Sequence, residues 1–271
     1  MYIKNLLFSP EGIEKCTVTA YLQTLGQHKH MKERKLPAIV ICPGGGYGST
    51  SAREADPVAK EYIAAGYHAF ILDYSVKEDA ANFLPLCQLA ATVAHIRKKA
   101  KEWSVDENKI AVCGFSAGGH LAASLGTLFN ENKFQKIWNR TENIRPDAVI
   151  LGYPVILSNE YGHERSITRV SGSEKGTEEY AWFGLDQHVD EMTPPTFLWH
   201  TAADTGVPAE NSLCFAMALS AAKVPYEIHI FPEGKHGMSV CTQEVGTPDA
   251  YNGRWVEWSI TWLNKLFSFT K

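Results

Sequence analysis

"KIAVCGFSAGGHLAASLG", residues 109–126, joins an apolar run to a serine ringed by Gly114, Gly118 and Gly119, and then to a stretch of small residues. An ordinary surface turn is served by one or two glycines. Three of them around one serine imply a turn so tight that neighbouring backbones nearly touch. Gly-x-Ser-x-Gly is short enough to arise by chance in a chain with 21 glycines, so the flanks decide. "KIAVC" reads as a short buried strand, and "AGGHLAASLGTLF" (117–129) as a helix lined with small residues. Glycine and alanine at its start let that helix press against adjacent strands where a larger side chain would not fit. A strand-to-helix turn of this kind lifts Ser116 above a sheet, as in a nucleophile elbow.

Further apolar runs recur on either side. "AIVIC" (38–42), "HAFIL" (68–72), "IAVC" (110–113), "AVIL" (148–151), "TFLWH" (196–200) and "EIHIF" (227–231) read as parallel strands covered on both faces. "CTVTAYL" (16–22) alternates instead and reads as an antiparallel edge. Between the runs lie helical stripes: Ala55, Val58, Ala59, Tyr62 and Ile63; Leu86, Leu89, Ala90, Val93 and Ala94; Leu213, Ala216, Met217, Ser220 and Ala221; and Trp255, Trp258, Trp262, Leu263 and Leu266. Pro85 and Pro208 sit where first-turn prolines are tolerated. Alternating strand and helix predicts an α/β fold, a mostly parallel sheet with helices on both faces. No repeat or linker interrupts it, and residues 1–271 read as one domain. The segment 155–193 breaks the rhythm with the polar, aromatic "SNEYGHERSITRVSGSEKGTEEYAWFG" (158–184). It follows the carboxyl end of a strand, where ligands bind in open α/β sheets, and is expected to form a partial cap over the site.

Composition narrows the function classes. Of 271 residues, 45% are hydrophobic and 21% charged, enough for a substantial core and against disorder. A net charge of -4 makes no case for nucleic acid. "HKHMKERK" (28–35) reads as a loop between strands and "RKKAK" (97–101) as the wet end of a helix. "MYIKNLLFSPEG" (1–12) is too briefly apolar for a secretory signal, and no run is long enough to span a membrane. The six cysteines are scattered with no C-x-x-C pair, which suits a reduced, cytoplasmic protein. No ligand cluster has zinc-like spacing, so neither metal nor other cofactor is expected.

A neutral serine is a poor nucleophile and needs a base in reach and an acid to orient that base. Ten histidines compete. His95 lies on a helix, His68, His200 and His229 in or beside strands, and His120 in the helix after Ser116, where it would bond nearby backbone. His28, His30, His163 and His188 are in polar loops. His236 lies in the glycine-bracketed "FPEGKHG" (231–237), just after the last strand candidate, where a loop can carry an imidazole over the sheet edge. For the acid, Asp204 in "WHTAADTGVP" (199–208) follows the preceding strand, with Asp73 and Glu233 as rivals. The order Ser116, Asp204, His236 favours Asp204. "CPGGGYG" (42–48) supplies backbone N–H groups free of side chains beside that of Ala117, and lacks the G-K-[ST] of a phosphate cradle. Tyr47 is expected to wall a small acyl pocket beside those glycines.

"PGGGY", "GFSAGGHLA", "GYPV", "PPTFLWHTAADTGVP" and "FPEGKHG", in that order, resemble the α/β-hydrolase esterases and look closest to the bacterial acetyl-xylan-esterase-like and feruloyl-esterase-like group. The resemblance runs from about Pro37 to His236. It implies a serine carboxylic-ester hydrolase with Ser116 as nucleophile, His236 as base, Asp204 as orienting acid, and Gly45, Gly46 and Ala117 as oxyanion donors. The implied substrate is a small-molecule ester of a short acyl group, an acetylated oligosaccharide above all. Where the hormone-sensitive-lipase-like pattern has H-G-G-G, this chain has Pro43 in place of histidine. An arylformamidase-like hydrolase of a non-carbohydrate molecule, and a non-catalytic binding protein on the same fold, are the alternatives.

Overall fold

A computed structural model describes residues 2–24 and 34–271. The described residues form eight strands: β1 (Tyr2–Phe8), β2 (Thr17–Thr24), β3 (Leu36–Cys42), β4 (His68–Asp73), β5 (Val105–Phe115), β6 (Ala148–Gly152), β7 (Thr196–Thr201) and β8 (Tyr226–Phe231). Among them run the helices α1 (Asp56–Ala64), α2 (Leu84–Lys98), α3 (Ala100–Trp103), α4 (Ala117–Leu128), α5 (Asn132–Trp138), α6 (Glu164–Ser171), α7 (Glu178–Trp182), α8 (Glu210–Ala221) and α9 (Arg254–Leu266). One sheet holds the strands in the order β1-β2-β4-β3-β5-β6-β7-β8. β1 pairs antiparallel with β2 and β2 with β4; the remaining pairings are parallel. This is the α/β class that the alternating runs predict.

Side chains alternate across each strand, so a strand buried on both faces feeds two cores. Val40, Val112, Leu151 and Leu198 join one, with Leu89 of α2, Leu121 and Leu125 of α4, and Leu219 of α8. Ile39, Ile41, Cys113 and Ile150 join the other, with Val58 and Tyr62 of α1 and Trp255 of α9. Burying each such aliphatic side chain contributes roughly 1.5–3 kcal/mol, and the central strands β3 and β6 are buried along their whole length.

Three sequence expectations need correction. β2 is antiparallel but not an edge: β1 covers it, with Ile3 and Leu7 exposed on that outer strand. β8 is the other edge and only partly buried, although "EIHIF" reads like its covered neighbours. The inward face of α8 is Asn211, Ser212, Phe215, Ala216 and Leu219, while Leu213 and Met217 point to solvent. There two polar residues face the core because each is bonded. Asn211 Oδ1 accepts from the N–H groups of Ile156 and Leu157, and Ser212 Oγ lies 2.8 Å from His200 Nδ1. Pro208 precedes α8 rather than lying in its first turn, whereas Pro85 does lie in the first turn of α2. "HKHMKERK" falls mostly outside the described residues.

The segment after β6 is not a loose excursion. Leu157, Ile167, Val170, Tyr180, Phe183 and Leu185 bury themselves in the first core, which fixes α6 against the carboxyl ends of the strands.

Candidate active site

Ser116 is the single residue between β5 and α4, at φ 53 and ψ -120. A non-glycine residue there carries strain on the order of 1–3 kcal/mol, tolerated only where the surroundings over-determine it. Here they do. The Ser116 N–H donates to Gly152 O at 3.1 Å, and its carbonyl accepts from His120 and Val155, each at 3.0 Å. The flanking glycines are required by contact. A Cβ on Gly114 would stand 2.0 Å from Gly118 O, and one on Gly118 would stand 2.1 Å from Cys42 O. No other residue type allows helix, elbow and β3 to meet this closely.

Strands β7 and β8 each deliver one more group to the same rim. The turn after β7 carries Asp204, and the loop after β8 carries His236. Ser116 Oγ lies 2.9 Å from His236 Nε2, and His236 Nδ1 lies 2.7 Å from Asp204 Oδ2. Asp204 Oδ1 accepts from the N–H groups of Gly206 (2.8 Å) and Val207 (2.9 Å). Burial works to raise the Asp204 carboxyl, but bonds from His200, His236 and the Val207 N–H outweigh it and hold it well below the usual carboxylate range. An ionised carboxylate can only accept, so the His236 proton sits on Nδ1 and the Nε2 lone pair faces the Ser116 hydroxyl. Tyr153, at the end of β6, sets its ring edge-on to His236 with centroids 5.0 Å apart.

The glycine loop after β3 closes the site. A Cβ on Gly44 would lie 2.9 Å from Ser116 Cβ. The Gly44 N–H is engaged by Glu54 Oε2 at 2.8 Å. The Gly45 and Gly46 N–H groups have no protein partner among the described residues, and Gly45, at φ 136, could carry no side chain without striking Ser49 O. Ala117 opens α4, where backbone N–H groups lack helical partners. Gly45 and Gly46 border a cavity of about 320 Å³ that also holds Ser116, His236, Glu54, Arg53, His163, Arg165 and Arg169. Depressions of about 670 and 830 Å³ lie beside α2 and between α1 and α9, away from Ser116, and a third of about 550 Å³ lies on the far side of Arg169, without Ser116 or His236 in its lining.

Other candidates stand apart. Asp73 accepts from Thr50 Oγ1 at 3.4 Å, and the Glu233 carbonyl serves Asn252; neither carboxylate bonds His236. His120 bonds the distant Phe183 carbonyl (3.0 Å) and the Tyr47 hydroxyl (3.0 Å), not nearby backbone. His28 and His30 lie outside the described residues. Tyr47 is fully buried at φ 54 with its ring against His120, so it packs beneath the site and does not wall the cavity.

Glu54 went unread in the sequence. It is 3% exposed, accepts from Tyr153 Oη at 2.6 Å as well as from Gly44, and so links the glycine loop to the residue packed on His236. Burial raises its carboxyl, against the lowering effect of these bonds. "SAREAD" (51–56) holds no pattern that marks such a role. Among the described residues no three His, Cys, Asp or Glu side chains converge to hold a metal, and no helix is long and apolar enough to cross a membrane.

The BD-FAE family model matches residues 27–219. An endo-1,4-beta-xylanase B of Butyrivibrio fibrisolvens is 35% identical over 83% of this chain, and an acetylxylan esterase of Xylanibacter ruminicola 28% over 76%. The chain spans 36% and 42% of the length of those two proteins. The solved acetyl ester-xyloside bifunctional hydrolase of Caldicellulosiruptor lactoaceticus superposes with a TM-score of 0.82 at 33% identity, covering 97% of this chain and 92% of that one.

Proposed function

This chain belongs to the BD-FAE family of α/β hydrolases, and on that premise we propose that it is a serine carboxylic-ester hydrolase that removes short acyl groups, acetyl above all, from acetylated carbohydrate such as xylo-oligosaccharides. The observation that carries the reading is the continuous hydrogen-bonded line Ser116–His236–Asp204 on a strained turn. A binding protein has no use for an imidazole held in one tautomer against a serine hydroxyl.

The chemistry follows from where the protons sit. Ser116 Oγ attacks the ester carbonyl carbon as its proton passes to His236 Nε2, and ionised Asp204 stabilises the resulting imidazolium. The carbonyl oxygen becomes an oxyanion and accepts from Gly45, Gly46 and Ala117, donors already aimed and free of other duties. His236 returns the proton to the departing alkoxide, leaving an acyl-serine. Water then attacks with the same imidazole as base, releasing the acid and restoring the hydroxyl. Glu54 keeps the Gly44 peptide and Tyr153 in place throughout.

Acetyl preference is supported by the small cavity, and the reading of the 155–193 segment as a partial cap by His163 and Arg169, which approach Gly46. A carbohydrate alcohol is supported by the relatives named for acetylxylan and xyloside hydrolysis. A cytoplasmic setting is proposed with it, supported by six free thiols, all but Cys214 buried.

The test compares acetyl, butyryl and octanoyl p-nitrophenyl esters and acetylated xylo-oligosaccharides as substrates, with Ser116→Ala as control. We expect kcat/KM to fall stepwise with acyl length, acetylated oligosaccharides to be deacetylated, and Ser116→Ala to lose at least about a thousandfold in kcat while folding normally. Rates that hold or rise with chain length remove the acetyl assignment. Retained turnover in Ser116→Ala removes the serine mechanism.

A further inference from the structure

Three guanidinium groups line the cavity that holds Ser116 and His236, and they reach it from two sides. Arg53 comes from the 3₁₀ turn Ala52–Glu54, and its Nη2 lies 3.3 Å from where a Cβ on Gly237, the neighbour of His236, would stand. Arg165 and Arg169 lie one turn apart on α6. Arg169 is committed, donating from Nη1 to the Gly46 carbonyl at 2.8 Å.

One carboxylate, Glu54, lies in the same lining and feels the Arg53 charge, but it pairs with none of the three arginines. The nearest acid on α6, Glu164, is paired with Lys175. Glu54 is occupied by Gly44 and Tyr153, and Asp204 by His236, Gly206 and Val207. Among the described residues none of the three arginines forms an ion pair. The composition does not account for the cluster either, since acidic residues outnumber Lys and Arg by 30 to 26. Like charges gathered at one mouth repel, and a neutral acetylated sugar could accept from their N–H groups but would leave the charge unmatched. A guanidinium, by contrast, presents a planar fork of donors that fits a carboxylate or phosphate group.

We propose that the ester cleaved at Ser116 carries an oxyanion group, a carboxylate or a phosphate, on its alcohol part, received by Arg53 and Arg165 at the mouth of the cleft. The inference rests on the ester-hydrolase reading. On the acetyl reading the acyl group bears no charge of its own, which leaves the anion to the alcohol. The substrate class is therefore an acetylated sugar acid or sugar phosphate. Both arginines are exposed, so a long-range field also gathers such an ester from solution.

The experiment uses three acetylated methyl glycosides matched in ring and ester position: a neutral sugar, its uronic acid and its phosphate. We expect kcat/KM for at least one anionic ester to exceed that of the neutral one on the order of tenfold at low salt, with the advantage collapsing near ~1 M salt, where screening acts within about 3 Å. The anionic-to-neutral ratio falls at least about fivefold in Arg53→Gln, Arg165→Gln or the double variant. Whichever anion leads identifies the group. Equal turnover of all three by the wild-type protein overturns the proposal, as does an anionic advantage that survives the double substitution. If no ester is hydrolysed, p-nitrophenyl acetate included, it is the ester-hydrolase reading that fails.

Discussion

Asp204 is the residue on which the proton arrangement turns, because it accepts from His236 with one oxygen and from two backbone N–H groups with the other. In Asp204→Asn the Gly206 and Val207 donors keep the side-chain oxygen, so the new amide NH₂ faces His236. The imidazole must then accept at Nδ1 and carry its proton on Nε2, where it cannot take one from Ser116. We expect kcat to fall on the order of 10⁴-fold, with an unfolding midpoint close to wild type by circular dichroism. A loss below about tenfold would remove Asp204 from the mechanism. The candidates Ser116, Asp204 and His236 were legible because each lies in the segment just after an apolar run, Ser116 and His236 beside glycines and Asp204 in the chain order between them. Glu54 was not: its partner Tyr153 is 99 positions away, and only the folded sheet brings them together. Tyr47 was misread for a local reason, since its positive φ turns the ring under the loop rather than into the cleft.

At the scale of elements, the close approach of β3, β5 and α4 is the most demanding feature, and it was the one most plainly written in the chain. Gly118→Ala would drive a methyl group to 2.1 Å from Cys42 O and 2.4 Å from Pro43 O, both backbone atoms that cannot rotate away. The helix must retreat from the strand that carries the glycine loop. We expect a loss of more than about 3 kcal/mol in urea unfolding, together with a collapse of kcat in whatever folds. An unfolding midpoint within error of wild type would show that elbow and loop are not in contact. α8 shows the opposite case. Its apolar pattern misleads because its inward face includes Asn211 and Ser212, whose cost of burial is offset by bonds to residues far along the chain. Edge strands misled similarly: β1 and β8 differ from inner strands by what covers them, and composition alone does not report coverage.

Across the whole molecule, the sheet also fixes how stability responds to acid. His68 and His120 are fully buried, and burial pushes each imidazole from 6.5 down to about 4. The unfolded chain, with ordinary imidazoles, therefore binds protons first as the pH falls. The stability these two residues preserve is complete above 6.5 and drains away down to about 4, about 3 kcal/mol for each. Urea unfolding across that interval should show a steadily falling midpoint, shallower in His68→Gln. A flat profile would mean that neither histidine is held neutral. The parallel run of the strands has one more consequence. Gly44–Gly46, Ser116, Tyr153, Asp204 and His236 all leave from carboxyl ends, whereas Phe269 packs on Tyr67, beside the amino end of β4. Lys271 thus lies at the rim opposite the cleft, and a molecule immobilised on a solid support through that residue would present its open mouth to the flowing liquid.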